Sequence, residues 1–328
     1  MTATNGGGLW VYAERRGDGS FTPVSLEILG KARELARQLA VELTAVTVGA
    51  DGPAAAELRK YGPDHVLEIS HPMLARHDGK AYATAIAAEV HKAHPSTILL
   101  GATRNGQDLA GRLAVRLRTG LTAHVTSLEL EGSNRELVGW VPGFGGGIEA
   151  GITCPVKRPQ MVTVRPGVFP LPPEGPPVGD VTTVTPHLSE KDVGSHRVSF
   201  EPKGSSVDLT RSDVIVVGGR GTGGNFRQIE ELAHALGGEV GATRVATDAG
   251  WVDRDRMIGQ TGVITRPKLV LVLGVSGAVQ FTVGIEGAGT VVAVNRDPQA
   301  PIFDHADLGI VGDLGPVVES LLRTLKET

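Results

Sequence analysis

The chain alternates short apolar runs with amphipathic or alanine-rich stretches, and it does so twice, on either side of a proline-rich segment. That rhythm allows few folds. Apolar runs too short for helices are buried on both faces, and the helical stretches between them carry the chain back, so parallel sheets covered by helices result. In the first half, Leu9–Ala13, Leu43–Val48, His65–Ile69 and Thr97–Leu100 read as strands. The helical stretches between and after them are Ser25–Ala40, Pro53–Lys60, Ala81–Ala93 and a run from the Gly101–Gly106 loop through about Leu117. Beyond Gly120, the segments Thr122–Leu130, Glu136–Val141 and Pro159–Val164 read as further strands extending the first sheet.

From Pro166 to Pro202 lie eight of the chain's twenty prolines. Helix is disfavoured there, and the stretch reads as an exposed connection. The expectation is an α/β protein of two domains, 1–204 (its linker about 166–204) and 205–328. The second alternation begins at Asp213: strand Val214–Val217, helix Asn225–Leu236 stopped by Gly237-Gly238, and strands Leu269–Leu273, Val291–Val294 and Leu308–Val311. Asp313 caps a last helix through about Lys326.

Glycine makes up 45 of the 328 residues, roughly twice its usual share of about 7%. Such an excess marks tight turns and places where the backbone approaches a ligand closely. Val214–Phe226 (VIVVGGRGTGGNF) runs a buried strand into a glycine turn and then a helix, an arrangement that brings backbone N–H groups to a phosphate. Arg220 adds a planar donor fork. Gly274–Gln280 (GVSGAVQ) repeats the pattern, with Ser276 and the amides near Gly277 at the first turn of the next helix. Two such turns in one small sheet point to a pyrophosphate-bearing ligand. Ile258–Gly262 (IGQTG), Asn295 and Asp313 add polar groups. Each alone reads more readily as a turn residue or helix cap; all but the Gln260-Thr261 loop follow a strand directly, and that recurrence at one edge shifts the reading to a ligand.

Other classes are excluded or left weak. A net charge of −4, with 11 basic and 15 acidic residues in 205–328 and 21 of each before, offers no track for nucleic acid. Cys154 is the one cysteine, so no intrachain disulfide forms, and a free thiol fits a reducing compartment. The pairs His91/His94 and His71/His77 lack a carboxylate–histidine metal pattern, and no metal site is expected. The start lacks the marks of a signal peptide, and no stretch reaches the roughly 18 apolar residues of a membrane span. The expectation is a cytoplasmic protein that is not integral to a membrane. Gly143–Gly147 reads as a flexible or partner-facing turn.

Together these residues carry a resemblance. The run GGRG…NF…VGATR…DAGW…IGQTG…GVSGAVQ…VAVNRDPQAPIF…ADLGIVGDL, over Val214–Leu314, resembles the alpha subunit of electron-transferring flavoproteins. Leu99–Ala123 (LLGATRNGQDLAGRLAVRLRTGLTA) and Arg158–Gly167 (RPQMVTVRPG) agree less tightly. The resemblance implies an N-terminal parallel-sheet, nucleotide-hydrolase-like platform and a C-terminal flavodoxin- or Rossmann-like domain that binds FAD. It also implies an obligate beta subunit, a flavoprotein dehydrogenase such as an acyl-CoA dehydrogenase as donor, and a quinone reductase as acceptor. Some members bifurcate electrons from NADH.

By matching position, the resemblance puts Arg220 and Ser276 on the pyrophosphate, Arg244 against the isoalloxazine ring and Gln260 and Thr261 near flavin N5 and O4. Asn295 and Asp313 fall at the adenosine end. Thr243, Gly259, Gly262, Gly277, Ala278, Val279, Gln280, Phe281 and Leu314 complete the implied set. Taken alone, Arg244 reads as a surface ion pair. Two departures stand out: Phe281 holds a position where many members have a histidine that donates to the flavin, and a phenyl ring cannot donate. The turn GRGTGGNF is two residues shorter than the usual pattern and lacks its acidic residue.

No acid–base or nucleophile constellation adjoins the glycine turns, so the reading is an electron carrier, not an enzyme. The rivals are a flavin- or nicotinamide-dependent oxidoreductase acting directly on a small molecule, and a redox-inactive nucleotide-binding module.

Overall fold

The computed structural model describes residues 7–49, 54–133, 135–143, 148–199 and 207–327. Two compact units result, Met1–Phe200 and Glu201–Thr328.

The first unit opens with β1 (Leu9–Tyr12), α1 (Pro23–Leu39), β2 (Leu43–Gly49), α2 (Ala54–Leu58) and β3 (His65–Ser70). It continues through α3 (Gly79–Ala93), β4 (Thr97–Gly101), α4 (Arg104–Leu117) and β5 (Leu121–Val125). Then come β6 (Ser127–Glu131), β7 (Glu136–Gly143), β8 (Ile148–Ile152), β9 (Gln160–Val164) and β10 (Asp180–Val184). Seven strands form one parallel sheet in the order β10-β3-β2-β1-β4-β9-β5.

The strand period of two divides its core. Leu9 and Val11 of β1 face one apolar layer with α1, whereas Trp10 and Tyr12 face the other with α3 and α4. Helix starts are fixed by local chemistry. Pro23 opens α1 with its φ already helical, Thr103 caps α4 through Gly106 N–H, and Asp78 caps α3 through the N–H groups of Lys80 and Ala81.

Two expectations are corrected. The single strand read over Thr122–Leu130 is two. His124 takes a left-handed φ of 61°, and the ladder between β5 and β9 slips there. The chain turns off the parallel sheet at this bulge, so β6, β7 and β8 form a separate antiparallel sheet instead of extending the first. The proline-rich segment is also not wholly a connection. Residues 178–185 contain no proline, and the β-branched run Asp180–Val184 pairs with β3 as an edge strand. Of the glycine turn, Phe144–Gly147 lie outside the described residues, as do Pro53 of the second expected helix and residues 200–206 at the end of the expected linker.

The second unit runs β11 (Val214–Gly218), α5 (Arg227–Ala235), β12 (Glu239–Ala242), α6 (Arg244–Asp248) and β13 (Leu269–Leu273). It ends with α7 (Val279–Thr282), β14 (Thr290–Asn295), β15 (Leu308–Val311) and α8 (Leu314–Glu327). All five strands are parallel, in the order β12-β11-β13-β14-β15. Ile215 and Val217 face one apolar layer and Val216 the other. No helix among the described residues is long and apolar enough to cross a membrane.

Candidate functional site

In the second sheet the chain leaves β11 toward β12 and returns on the other side as β13. The carboxyl ends of β11 and β13 therefore flank a switch point, where open α/β sheets take their ligands. A cleft of ≈ 730 Å³ opens there, within the usual range of about 300–1,000 Å³ for small-molecule sites.

The first glycine turn works differently from the sequence expectation. Its glycine amides are spent inside the protein. Gly219 N–H donates to Leu273 O at 3.0 Å, Gly221 N–H to Gly274 O at 2.8 Å, and Gly223 N–H to Arg220 O at 3.1 Å. A Cβ on Gly219 would stand 2.6 Å from Gly274 O, and one on Gly221 2.7 Å from Gly274 Cα. Glycine is needed here because two loops touch. What the turn offers a ligand is the Arg220 guanidinium and backbone N–H, exposed and without a hydrogen-bond partner among the described residues.

The second turn holds the free donors. Among the described residues, neither the Ser276 hydroxyl nor the N–H groups of Ser276, Gly277 and Ala278 have a partner. Gly277 has a φ of 89°, and a Cβ there would land on the backbone of Ile302, so the turn is pressed against the Pro301 segment. Helix α7 has four residues, too few for a useful macrodipole; individual amides, not the helix end, would hold an anion.

Around the cleft, Thr243 N–H donates to Gly218 O at 3.1 Å, drawing the end of β12 toward β11 and starting α6 at Arg244. The Arg244 Nε–Asp248 Oδ2 distance is 3.2 Å, with 67% and 53% of the side chains exposed. A pair this exposed contributes at most about 1 kcal/mol, so the guanidinium leaves it at little cost. The Ile258–Gly262 loop docks on α7 through Gln260 N–H to Gln280 O at 2.7 Å. Gly259 has a φ of 134°, and a side chain there would strike Gln280 O.

Of the residues expected from the sequence, Arg220, Thr243, Arg244, Gly259, Thr261, Ser276, Ala278, Gln280, Phe281 and Asn295 line the cleft together. Gln260, Gly262, Gly277, Val279, Asp313 and Leu314 do not line it. Gln260 and Gly277 contribute backbone hydrogen bonding and curvature to its walls, and Leu314 packs close to Gly274. Asp313 Oδ1 accepts from Gly315 N–H at 3.1 Å at the start of α8. Asn295 is heavily committed: Nδ2 donates to Val275 O at 2.8 Å and Oδ1 accepts from Asp297 N–H at 3.0 Å. It fixes the shape of the second turn.

Sequence reasoning missed Arg296, Asp297, Ala300 and Pro301, which close the wall next to Asn295. Their signal was their position, directly after a buried strand. Phe281 is 6% exposed and belongs to the apolar layer that includes Val275 and Ile258. The cleft thus joins three guanidinium groups and unpartnered amides to an apolar wall. That donor set fits a ligand with a pyrophosphate and a flat aromatic ring.

The fold and site define an α/β carrier of a phosphate-bearing aromatic cofactor. Residues 9–189 match the electron transfer flavoprotein domain family, and residues 208–286 the electron transfer flavoprotein FAD-binding domain. The chain is 43% identical to the electron transfer flavoprotein subunit alpha of Clostridium acetobutylicum, over 97% of each chain. It is 43% identical to the FixB protein of Azorhizobium caulinodans, over 97% of this chain and 88% of that one. It is 38% identical to subunit LctC of the lactate dehydrogenase (NAD(+),ferredoxin) of Acetobacterium woodii, over 97% of this chain and 77% of that one. The chain belongs to the electron transfer flavoprotein alpha-subunit family.

Proposed function

We propose that this chain holds one FAD in the cleft of its second unit and serves as the alpha subunit of a two-subunit electron carrier. The observation that carries this reading is the pairing of Arg220 with the unpartnered Ser276–Ala278 donors beside an apolar wall. The cofactor supplies electron uptake and release; the protein supplies binding and electrostatics. Arg220, the Ser276 hydroxyl and the neighbouring amides hold the pyrophosphate. Arg244 lies at the isoalloxazine end, with Thr261 and Gln280 as side-chain donors. Gln260 contributes through its backbone, and Asn295 acts by shaping the turn. Asp313 and Leu314 lie outside the cleft wall, and we assign them support of the adenosine end through the start of α8.

A beta subunit completes the carrier. Strand β8 is exposed along its whole length, with Ile148 at 60% and Ile152 at 40%, and an apolar edge strand of this kind is a ready template for another chain. We assign a flavoprotein dehydrogenase as donor and a quinone reductase as acceptor, in the cytoplasm. A second reading, participation in a bifurcating complex, is favoured by the likeness to LctC. Titrating cofactor-stripped protein, with and without its beta subunit, separates the proposal from a redox-inactive nucleotide-binding module, and turnover of a small molecule by the chain alone would favour the oxidoreductase. Saturation at one FAD per alpha chain supports the proposal, and binding of ATP or AMP alone contradicts it.

A further inference from the structure

The first unit has a switch point of its own, dressed in the opposite charge. Its strand β1 is flanked by β2 on one side and β4 on the other, so the crevice between the carboxyl ends of β1 and β4 is where such a sheet takes a ligand. Glu14 lies there, two residues past β1 and only 7% exposed. Its Oε2 accepts from Thr103 Oγ1 at 2.5 Å and its Oε1 from Asn105 Nδ2 at 3.0 Å. Thr103 is the N-cap of α4, a helix of 14 residues. The carboxylate therefore sits at the positive end of a full-length helix, hydrogen-bonded as a bound oxyanion would be.

The main chain holds it there. Glu14 N–H donates to the fully buried Ser25 Oγ at 3.0 Å, and Glu14 O accepts from Thr22 N–H at 2.9 Å. The crevice is packed shut behind it: a Cβ on Gly101 would stand 2.6 Å from Val24 Cγ1, and one on Gly106 would land on Gly101 O. The second unit's switch point shows the contrast, with Arg220, Arg244 and Arg296 against the single carboxylate of Asp297, and with unpartnered donors at Ser276–Ala278.

We infer that Glu14 is a built-in anion: its carboxylate fills the oxyanion position of the first sheet, so that this sheet excludes a second phosphate-bearing ligand and the chain is limited to the one in its second unit. The inference does not depend on which cofactor the second unit holds.

The test is chemical rescue in the full chain, flavin-loaded and paired with its beta subunit. Removing the carboxylate with Glu14→Ala leaves the Thr103 and Asn105 donors facing a carboxylate-sized gap. The variant is expected to unfold at a lower temperature than wild type and to regain most of that loss saturably in formate or acetate, relative to chloride at matched ionic strength. Wild type is expected to respond equally to all three salts. A variant whose Tm is the same in formate, acetate and chloride overturns the inference.

Should Glu14→Ala not fold, a double-mutant cycle of Glu14→Gln with Thr103→Val decides. A double variant that loses less than the two single losses combined supports the built-in anion, and strictly additive losses overturn it.

Discussion

Gly221 donates its N–H to the carbonyl of Gly274 at 2.8 Å, joining the turn after β11 to the turn after β13. This bond makes the cleft a single object: the turn that carries Arg220 and the turn that carries the free Ser276–Ala278 donors are held against each other. The glycines serve that contact, and the ligand meets what the contact leaves over.

Arg220 is the first residue to test. Replacing a charge-assisted donor removes about 1.5–3 kcal/mol, so Arg220→Ala should weaken FAD binding by roughly 10- to 100-fold, using about 1.4 kcal/mol per factor of ten. Arg220→Lys should recover only part of this, because an ammonium lacks the planar fork. Fluorescence titration of the stripped protein measures both, and unchanged affinity in Arg220→Ala would remove this residue from the pyrophosphate.

Arg244 is expected to tune potential more than affinity. A guanidinium about 4 Å from a ring gaining negative charge contributes up to ~4 kcal/mol at an effective dielectric of 20, on the order of 170 mV for one electron. Its exposure and its pairing with Asp248 cut this to on the order of tens of millivolts. Arg244→Ala should lower the midpoint potential by that amount in a spectroelectrochemical titration. An unchanged or raised potential would return the side chain to its surface ion pair.

Phe281 lies buried in an apolar layer and cannot donate a hydrogen bond. Stepwise reduction with dithionite should therefore show little of the one-electron-reduced anion, and Phe281→His should raise its yield while costing about 1–3 kcal/mol of stability for an imidazole in that layer. A large, persistent radical band in the wild type would refute this account of Phe281.

How far the sequence reveals all this depends on the kind of signal. The long apolar strands and their following turns were legible because burial on both faces leaves unbroken runs such as Leu269–Leu273. Strand β12, which carries Gly241 among four residues, and the very short α6 and α7 left no periodic pattern. The left-handed His124 that starts the antiparallel sheet has no residue-type signature. Position after a strand identified Asn295 but not its work, since only the fold shows its amide spent on Val275 and Asp297. The glycine turn was visible, yet a glycine required by a neighbouring loop looks the same in sequence as one required by a phosphate.

Acid stability should depend on Asp78. Burial raises its pKa, but hydrogen bonds from Ala81 N–H, the Ser195 hydroxyl and Gly194 N–H outweigh this and leave it below the ordinary carboxylate value. A carboxyl depressed in the folded state adds stability above its unfolded pKa of about 3.9, and that stability is lost as pH falls through the lower folded value. Asp78→Asn keeps a capping oxygen but turns charge-assisted hydrogen bonds into neutral ones, so it should cost about 0.5–1.5 kcal/mol near neutral pH and flatten the loss of stability below about pH 4. Thermal unfolding as a function of pH checks this, and a variant with the wild-type acid limb would contradict it.

The most direct measurement is an absorption spectrum, with quantitative cofactor extraction, of this chain purified together with its beta subunit. The account predicts a yellow complex with one FAD assigned to the alpha chain, lost or greatly reduced in Arg220→Ala. A second FAD per complex would point to bifurcation, to be pursued with NADH. A colourless complex that cannot be loaded with FAD would contradict the central claim.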